Sequence, residues 1–234
     1  MKPALYLIPV TLGDTEPSEV LPNQVFRTIM NLDEFIVENV RSARRFLRKA
    51  GYQKDFNEVT FYEIGKHHKE EDLIMMLHLK DRQKSLGLLS EAGVPCVADP
   101  GSTVVELCHQ MDITVIPLVG PSSILLALMA SGFNGQSFSF HGYLPIGKKE
   151  LKSRIKQLEL AVLQKNQTQL FIETPYRNNQ MLEAIVSNCS DHLKLCIAGN
   201  LTTDEAFITT RPVSWWKQHK PDLNKKPVVF LLYK

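Results

Sequence analysis

The sequence predicts a two-domain α/β protein. Residues 1–118 read as an N-terminal domain with a mostly parallel sheet and helices on both faces, and residues 119–234 as a C-terminal α+β domain with a mixed, partly antiparallel sheet. Three observations predict this. Short apolar runs alternate with amphipathic helical patterns through the first half, as crossover connections between parallel strands require. In the second half, strand patterns follow one another across short connections, which favours antiparallel pairs. Between the halves, Leu118-Val119-Gly120-Pro121 closes one element just before a helix opens.

The first strand falls at Ala4–Pro9, a short apolar run ending in a turn. Further strands follow at Glu34–Glu38, Glu58–Glu63, Ser85–Leu89 and Ile113–Leu118. Helical periodicity places helices between them at Gln24–Met30, Ser42–Ala50, Glu70–Leu79 and Thr103–Met111. Parallel sheets bind ligands beyond the carboxyl ends of their strands. The chemistry is therefore expected in the loops Val10–Pro22, Asn39–Arg41, Glu91–Gly101 and Val119–Ser123. In the second half a helix at Ser122–Ser131 leads to a strand at Ser137–Gly142 and a long charged helix at Lys148–Gln164. Strand Gln169–Glu173, helix Arg177–Ser187 and strands Lys194–Ala198 and Ala206–Thr210 come next, then a short helix at Trp215-Trp216 and a last strand at Val228–Tyr233.

Composition narrows the function classes without choosing one. An apolar fraction of 44% and a charged fraction of 22% suit a globular chain. A net charge of +2 neither requires nor excludes a nucleic-acid partner, so any basic surface has to be local. The first residues lack the long apolar core of an export signal, and the apolar runs Ile113–Val119 and Ile124–Ala130 are too short to span a bilayer. The expectation is a cytoplasmic protein with no membrane partner. Cys96, Cys108, Cys189 and Cys196 form no Cys-x-x-Cys pair and read as reduced core residues, with no metal site expected.

Three loops carry the strongest chemical signal. Ser90-Glu91-Ala92-Gly93-Val94-Pro95-Cys96-Val97-Ala98-Asp99-Pro100-Gly101 follows a strand and precedes a helix. Its glycines permit close backbone approach, and its prolines stiffen what lies between, so main-chain atoms can read a nucleoside. Gly120-Pro121-Ser122-Ser123 opens a helix, and its amides and hydroxyls suit a carboxylate or ribose oxygen. Glu173-Thr174-Pro175-Tyr176-Arg177 also follows a strand; Glu173 and Arg177 either pair with each other or orient a substrate.

In this order and spacing, the loops resemble the tetrapyrrole methylase family, the class III methyltransferases dependent on S-adenosylmethionine. The matching stretches are Ile8–Asp14, Glu38–Arg41, Ser90–Gly101, Leu118–Ser123, Gly142–Pro145, Glu173–Arg177 and Gly199–Thr203, which together span nearly the whole chain. The pattern is nearest to the branch that methylates a ribose 2′-hydroxyl of a decoding-site cytidine in small-subunit ribosomal RNA. The resemblance implies the two-domain fold of that family, S-adenosylmethionine held in a cleft between the domains, and a homodimer. It implies cofactor contacts from Val10, Gly93, Val94, Val97, Ser122, Ser123, Tyr176, Leu201 and Val228. Departures bear on the acceptor: the family's Glu-Asp-Thr-Arg reads Glu38-Asn39-Val40-Arg41 here, Gly-Thr-Pro reads Gly93-Val94-Pro95, and Arg-Glu-Leu-Thr-Lys reads Gly199-Asn200-Leu201-Thr202-Thr203. Lys226-Pro227 stands where a Gly-Glu pair is expected. This marks the chain as a divergent member.

Glu173, Lys148 and His141 are the candidate proton-handling groups for a hydroxyl acceptor, by their place on cleft-facing loops. Arg41, Arg44, Arg45, Arg48 and Lys49 recur on one helical face, so Arg41, Arg44 and Arg45, with Arg177, are candidate contacts to an RNA backbone. Two competing signals are weak. Gly142–Lys149 nearly fits a phosphate loop, but Lys149 replaces the hydroxyl that holds magnesium and Pro145 removes an amide. His67-His68 has no ligand partner at metal spacing and reads as surface. Three readings stand: methylation of ribosomal RNA or the small ribosomal subunit, methylation of a tetrapyrrole or other small molecule, and cofactor binding without catalysis. Replacing Gly93 by a bulky residue is expected to abolish cofactor binding and leave the fold intact.

Overall fold

The computed structural model describes residues 3–65 and 69–234. They form two compact units that divide between Ser122 and Ser123. His67-His68 lies outside the described residues.

The first unit is built on β1 (Ala4–Ile8), β2 (Glu34–Val37), β3 (Thr60–Glu63), β4 (Leu86–Leu89) and β5 (Thr114–Pro117), ordered β3-β2-β4-β1-β5. Every pairing is parallel. Successive residues of a strand face opposite sides, and the core divides accordingly. Phe35 and Val37 join Ile8, Val25, Ile29 and Leu47 on one face, while Ile36 joins Leu5, Leu73, Leu88 and Val104 on the other. Helices α1 (Pro17–Val20), α2 (Asn23–Met30), α3 (Val40–Lys49), α4 (Glu70–Met76) and α5 (Ser102–Gln110) complete the unit. This is the parallel, doubly covered sheet that the alternating pattern predicts. Two details differ. A four-residue helix, α1, interrupts the expected loop Val10–Pro22, with Pro17 fixing its first turn. The helix expected over Glu70–Leu79 stops at Met76, because His78 turns left-handed (φ 49°) and the chain tightens into a single 3₁₀ turn at Leu79–Asp81.

The second unit carries β6 (Phe138–Tyr143), β7 (Thr168–Ile172), β8 (Lys194–Gly199), β9 (Phe207–Pro212) and β10 (Val228–Tyr233), ordered β6-β7-β10-β8-β9. Only β6 and β7 run parallel; the other pairs are antiparallel. Helices α6 (Ser123–Ser131), α7 (Lys148–Lys165), α8 (Asn178–Asn188) and α9 (Val213–Gln218) complete it. The core sets Phe171 against Phe230, ring centroids 5.7 Å apart, beneath Ile155, Leu158 and Val162 of α7 and Leu182 and Ile185 of α8. Trp216 reaches this core with its one polar atom satisfied, donating from Nε1 to the Leu195 carbonyl at 3.0 Å. Glu159 is buried on α7, where Lys156 and the Ser190 amide donate to its two oxygens at 2.8 and 2.9 Å. That ties the middle of the long helix to the end of α8.

All four cysteines are free. Burial pushes the Cys108 and Cys196 thiols up to about 11 and the Cys189 thiol up to about 12, so they sit in the core as neutral groups. Among the described residues, no helix is long and apolar enough to cross a membrane.

Candidate functional site

In the first unit, the loops after β1, β4 and β5 meet at the carboxyl edge of the sheet. β1 lies between β4 and β5, so its outgoing chain is flanked by both of theirs. The Val10 amide donates to the Gly93 carbonyl at 2.9 Å, and the Gly93 amide returns to the Thr11 carbonyl at 3.4 Å. Ser90 is buried below, its hydroxyl 3.4 Å from the Gly93 carbonyl. The chain after β5 closes on the other side: the Leu118 amide donates to the Leu7 carbonyl at 3.0 Å, and Gly120 packs against Pro9. Gly93 adopts φ 73°, and a Cβ there would lie 2.9 Å from Leu12 Cδ2 and 3.1 Å from the Pro121 carbonyl.

The loop after β4 carries further left-handed residues. Cys96 (φ 67°) and Ala98 (φ 66°) join Gly93 and Gly101 with positive φ. Each non-glycine residue costs about 1–2 kcal/mol in that region, and such strain concentrates where backbone groups must face a ligand. The fourth strand-end contribution is α3, capped by the Asn39 side chain accepting from the Ser42 amide at 3.0 Å. The Ser42 hydroxyl donates to Glu91 at 3.1 Å, which links this helix to the β4 loop.

Of the cofactor candidates in this unit, Val10 is buried, Gly93 sits at the centre of the seam, Val94 is half-buried and Val97 is exposed. Ser122 ends the unit, and Ser123 opens α6 in the next. In the second unit three chain segments are stitched at one end of the sheet. The Lys225 amide donates to the Pro175 carbonyl at 2.9 Å, and the Asn200 amide to the Pro227 carbonyl at 3.1 Å. Asn178, wholly buried, donates from Nδ2 to the Lys226 carbonyl at 2.7 Å. These bonds bring the segments bearing Tyr176, Leu201 and Val228 together, with Tyr176 exposed and the other two buried.

The proton-handling candidates separate. Glu173 is buried; its Oε1 accepts from the Thr174 amide at 2.7 Å, and its Oε2 lies 3.1 Å from Arg177 Nη2. Glu173, Arg177 and Lys148 line one groove of about 560 Å³ between α7 and α8. His141 lies elsewhere, on β6, and both of its ring nitrogens are engaged. Arg154 Nη2 is 2.9 Å from Nδ1, and Gln169 Oε1 is 2.7 Å from Nε2. A guanidinium only donates, so Nδ1 is the acceptor and the proton sits on Nε2. That geometry pins β6 to β7 and α7 and leaves no free lone pair for abstracting a proton. Burial, with Arg154 nearby, holds the His141 pKa below the usual imidazole value despite the Gln169 bond. The unfolded chain therefore binds more protons near pH 6, and this contribution to stability is full above the usual value of about 6.5 and fades as pH falls towards the lowered one. Wild-type protein should lose denaturant midpoint between about pH 7 and 5, and His141→Gln should flatten that loss. Parallel curves for the two proteins would discard this role.

The arginine face of α3 is only partly free. Arg48 lies over the Phe56 ring at 3.9 Å, and Arg44 sits 5.4 Å from Phe56 and 5.1 Å from Phe61. Lys49 pairs with Asp14 at 2.8 Å and Glu16 at 3.4 Å. Arg41 and Arg45 remain exposed and form no ion pair among the described residues. The phosphate-loop pattern fails in space as well. Glu150 folds its carboxylate over Gly147, where a hypothetical Cβ would lie 2.1 Å from Oε2, so the start of α7 already carries an anion. Among the described residues, no group of three or more histidine, cysteine or acidic side chains is placed to hold a metal ion.

No protein-family model matches the chain. Individual relatives do. A protein of Vibrio cholerae named ribosomal RNA small subunit methyltransferase I is 27% identical over 99% of this chain and 77% of its own length. A Bacillus subtilis protein of the same name is 30% identical over 87% of this chain and 66% of its own length. In the solved structures, the methyltransferase CobJ matches the whole chain with a TM-score of 0.66 at 15% identity, covering 95% of that protein. The uroporphyrin-III C-methyl transferase of Thermus thermophilus, complexed with S-adenosyl homocysteine, matches 99% of this chain and 97% of that one, with a TM-score of 0.57 at 14% identity. The chain shares its fold with these two solved methyltransferases, and its sequence is similar along nearly its whole length to the ribosomal RNA methyltransferases. The chain is a methyltransferase.

Proposed function

We propose that this enzyme methylates a ribose 2′-hydroxyl of small-subunit ribosomal RNA, with S-adenosylmethionine as donor, in the cytoplasm where ribosomes work. The observation that carries the reading is the match to relatives named for small-subunit ribosomal RNA, which in the first of them covers 99% of this chain and 77% of the relative. The loops around Gly93 support the donor. They offer main-chain atoms, positive-φ turns and apolar side chains with few charges, which suits an adenosyl group bearing a sulfonium. Bound there, S-adenosylmethionine supplies an electrophilic methyl group. Val10, Gly93, Val94, Val97 and Ser122, on the strand-end loops of the first unit, are the residues we assign to hold it; the family resemblance adds Ser123, Tyr176, Leu201 and Val228 of the second unit.

The remaining work belongs to the chain's own side chains. The enzyme must hold the hydroxyl in line with the methyl carbon and keep water out. Glu173 has its oxygens turned to Thr174 and Arg177, so it acts as a positioning group that fixes Arg177. Lys148, exposed at the start of α7, is the cation left to meet a phosphate of the acceptor RNA. Arg41 and Arg45 are the α3 cations available to an RNA backbone.

The test is transfer of labelled methyl groups to small ribosomal subunits. Wild-type protein should label the RNA, and a double reversal, Arg41→Glu with Arg45→Glu, should cut labelling at physiological salt by about tenfold or more. Cofactor affinity should stay unchanged. Label appearing only in a small apolar product would instead favour the tetrapyrrole reading, which the lost polar groups at Asn39, Val40 and Val94 support. We also assign a homodimer. Leu125 and Met129, one turn apart on α6, expose 52% and 78% of their surface, an unusual apolar pair for a solvated helix. Light scattering should return twice the 26.6 kDa chain mass, and Met129→Glu should halve it. A monomeric wild-type protein would end that assignment.

A further inference from the structure

The groove between α7 and α8 has a composition that the methyl-transfer reading leaves unexplained. Its volume of about 560 Å³ falls inside the usual ligand-site range of about 300–1,000 Å³. Its apolar lining comes from Leu151 of α7 and Met181 and Ala184 of α8. The same helices bring its cations, Lys148 and Lys152 on α7 and Arg177 at the start of α8. Two acids also line it, and both are matched: Glu173 by Arg177 at 3.1 Å and Glu183 by Lys220 at 2.7 Å. Lys148 and Lys152 have no acidic partner among the described residues, and the three cations of the lining outnumber its two acids.

Arg177 is the fixed member of this set. The Glu173 side chain is 2% exposed, its Oε1 is held by the Thr174 amide, and its Oε2 accepts no hydrogen bond although Arg177 Nη2 lies close by. A buried carboxylate in that state anchors the guanidinium by charge, while the Arg177 side chain keeps 27% of its surface open to the groove. A planar guanidinium held in place matches the oxygens of a phosphate two at a time, and flanking lysines add charge without geometry. Apolar lining interleaved with three cations suits a ligand that combines an apolar body with a phosphate.

We propose that this groove is a subsite for one nucleotide of the acceptor RNA, away from the methylated ribose, with its phosphate at Lys148, Lys152 and Arg177 and its base on Leu151, Met181 and Ala184. The proposal rests on the RNA reading above. It locates part of the substrate path on the second unit, in addition to α3.

Lys152→Glu and Ser187→Trp test it from exposed positions on the two helices, and Lys165→Glu at the far end of α7, about 20 Å from Lys152 along the axis, controls for net charge. Binding of a short single-stranded oligoribonucleotide and of cytidine monophosphate is measured by fluorescence anisotropy and competition over a range of salt. S-adenosylmethionine affinity and thermal unfolding are measured alongside. Lys152→Glu and Ser187→Trp should each weaken oligonucleotide binding about tenfold, and Lys152→Glu should lower the salt slope by about one. Lys165→Glu should match wild type, and all variants should keep cofactor affinity. Wild-type affinity in both groove variants, with RNA still methylated, overturns the subsite and spares the proposed function. Cytidine monophosphate binding as tightly as the oligonucleotide overturns it in favour of a free-nucleotide site. Failure of wild-type protein to bind or methylate RNA removes the function and the subsite together. Should Ser187→Trp not fold, Lys152→Glu measured against Lys165→Glu decides.

Discussion

Gly120→Ala should cost the protein about 1–3 kcal/mol of stability and most of its methyl-transfer activity. A methyl group at this position would lie 2.1 Å from Pro9 Cβ and 2.4 Å from Pro9 Cγ. A flexible side chain could swing aside, but a pyrrolidine ring cannot, so the backbone after β1 or after β5 has to move. The same backbone carries Val10, whose amide holds the Gly93 carbonyl, and the displacement therefore passes directly into the loop proposed to hold the cofactor. Gly135→Ala is the matching control, since its added methyl meets nothing within 4 Å. Urea unfolding should show a lower midpoint with an unchanged slope for Gly120→Ala and no loss for Gly135→Ala. A Gly120→Ala protein as stable and as active as wild type would mean that the seam is not tight.

The seam also changes what Gly93 can test. A bulky residue there was expected to remove cofactor binding and spare the fold. At φ 73°, with Leu12 and the Pro121 carbonyl in the path of a Cβ, the substitution strains three loops at once, so lost binding would not isolate a cofactor contact.

The alternating pattern of the first half made the parallel sheet legible, because buried parallel strands are apolar runs and their crossover helices are amphipathic. The strand-end loops were legible for the same reason, together with their glycine and proline spacing. Other features were not. β10 is the last strand in the chain but inserts between β7 and β8, a pairing that depends on contacts across the sheet and leaves no local mark. Cys96 and Ala98 are left-handed without being glycine or asparagine, so residue type gave no warning of the strain. On α3, periodicity put five cations on one face, but Asp14 and Glu16, far away in sequence, claim Lys49, and Arg44 and Arg48 lie over the Phe56 and Phe61 rings. His141 was offered as a base by its place on a cleft-facing loop; it lies within β6, and the partners that occupy both nitrogens come from β7 and α7.

Glu173→Ala should lower kcat/KM for RNA by at least tenfold while leaving S-adenosylmethionine affinity near wild type. The carboxylate is 2% exposed, so its removal strands the Thr174 amide and frees Arg177 from its only acidic partner among the described residues. If Glu173 positions Arg177, the loss should appear chiefly in KM for RNA, and the pH–rate profile should keep its shape. Removal of a proton acceptor would instead depress kcat and erase one limb of that profile. A double-mutant cycle sharpens the distinction. Arg177→Ala alone should weaken RNA use to a similar degree, and the double variant should be little worse than either single one, with a coupling of about 1–3 kcal/mol. The Arg177 side chain is 27% exposed, which keeps that figure below the cost of breaking a fully buried pair. Additive losses in the cycle, or a missing limb in the Glu173→Ala profile, would assign the carboxylate to the chemistry itself and leave Arg177 as a bystander.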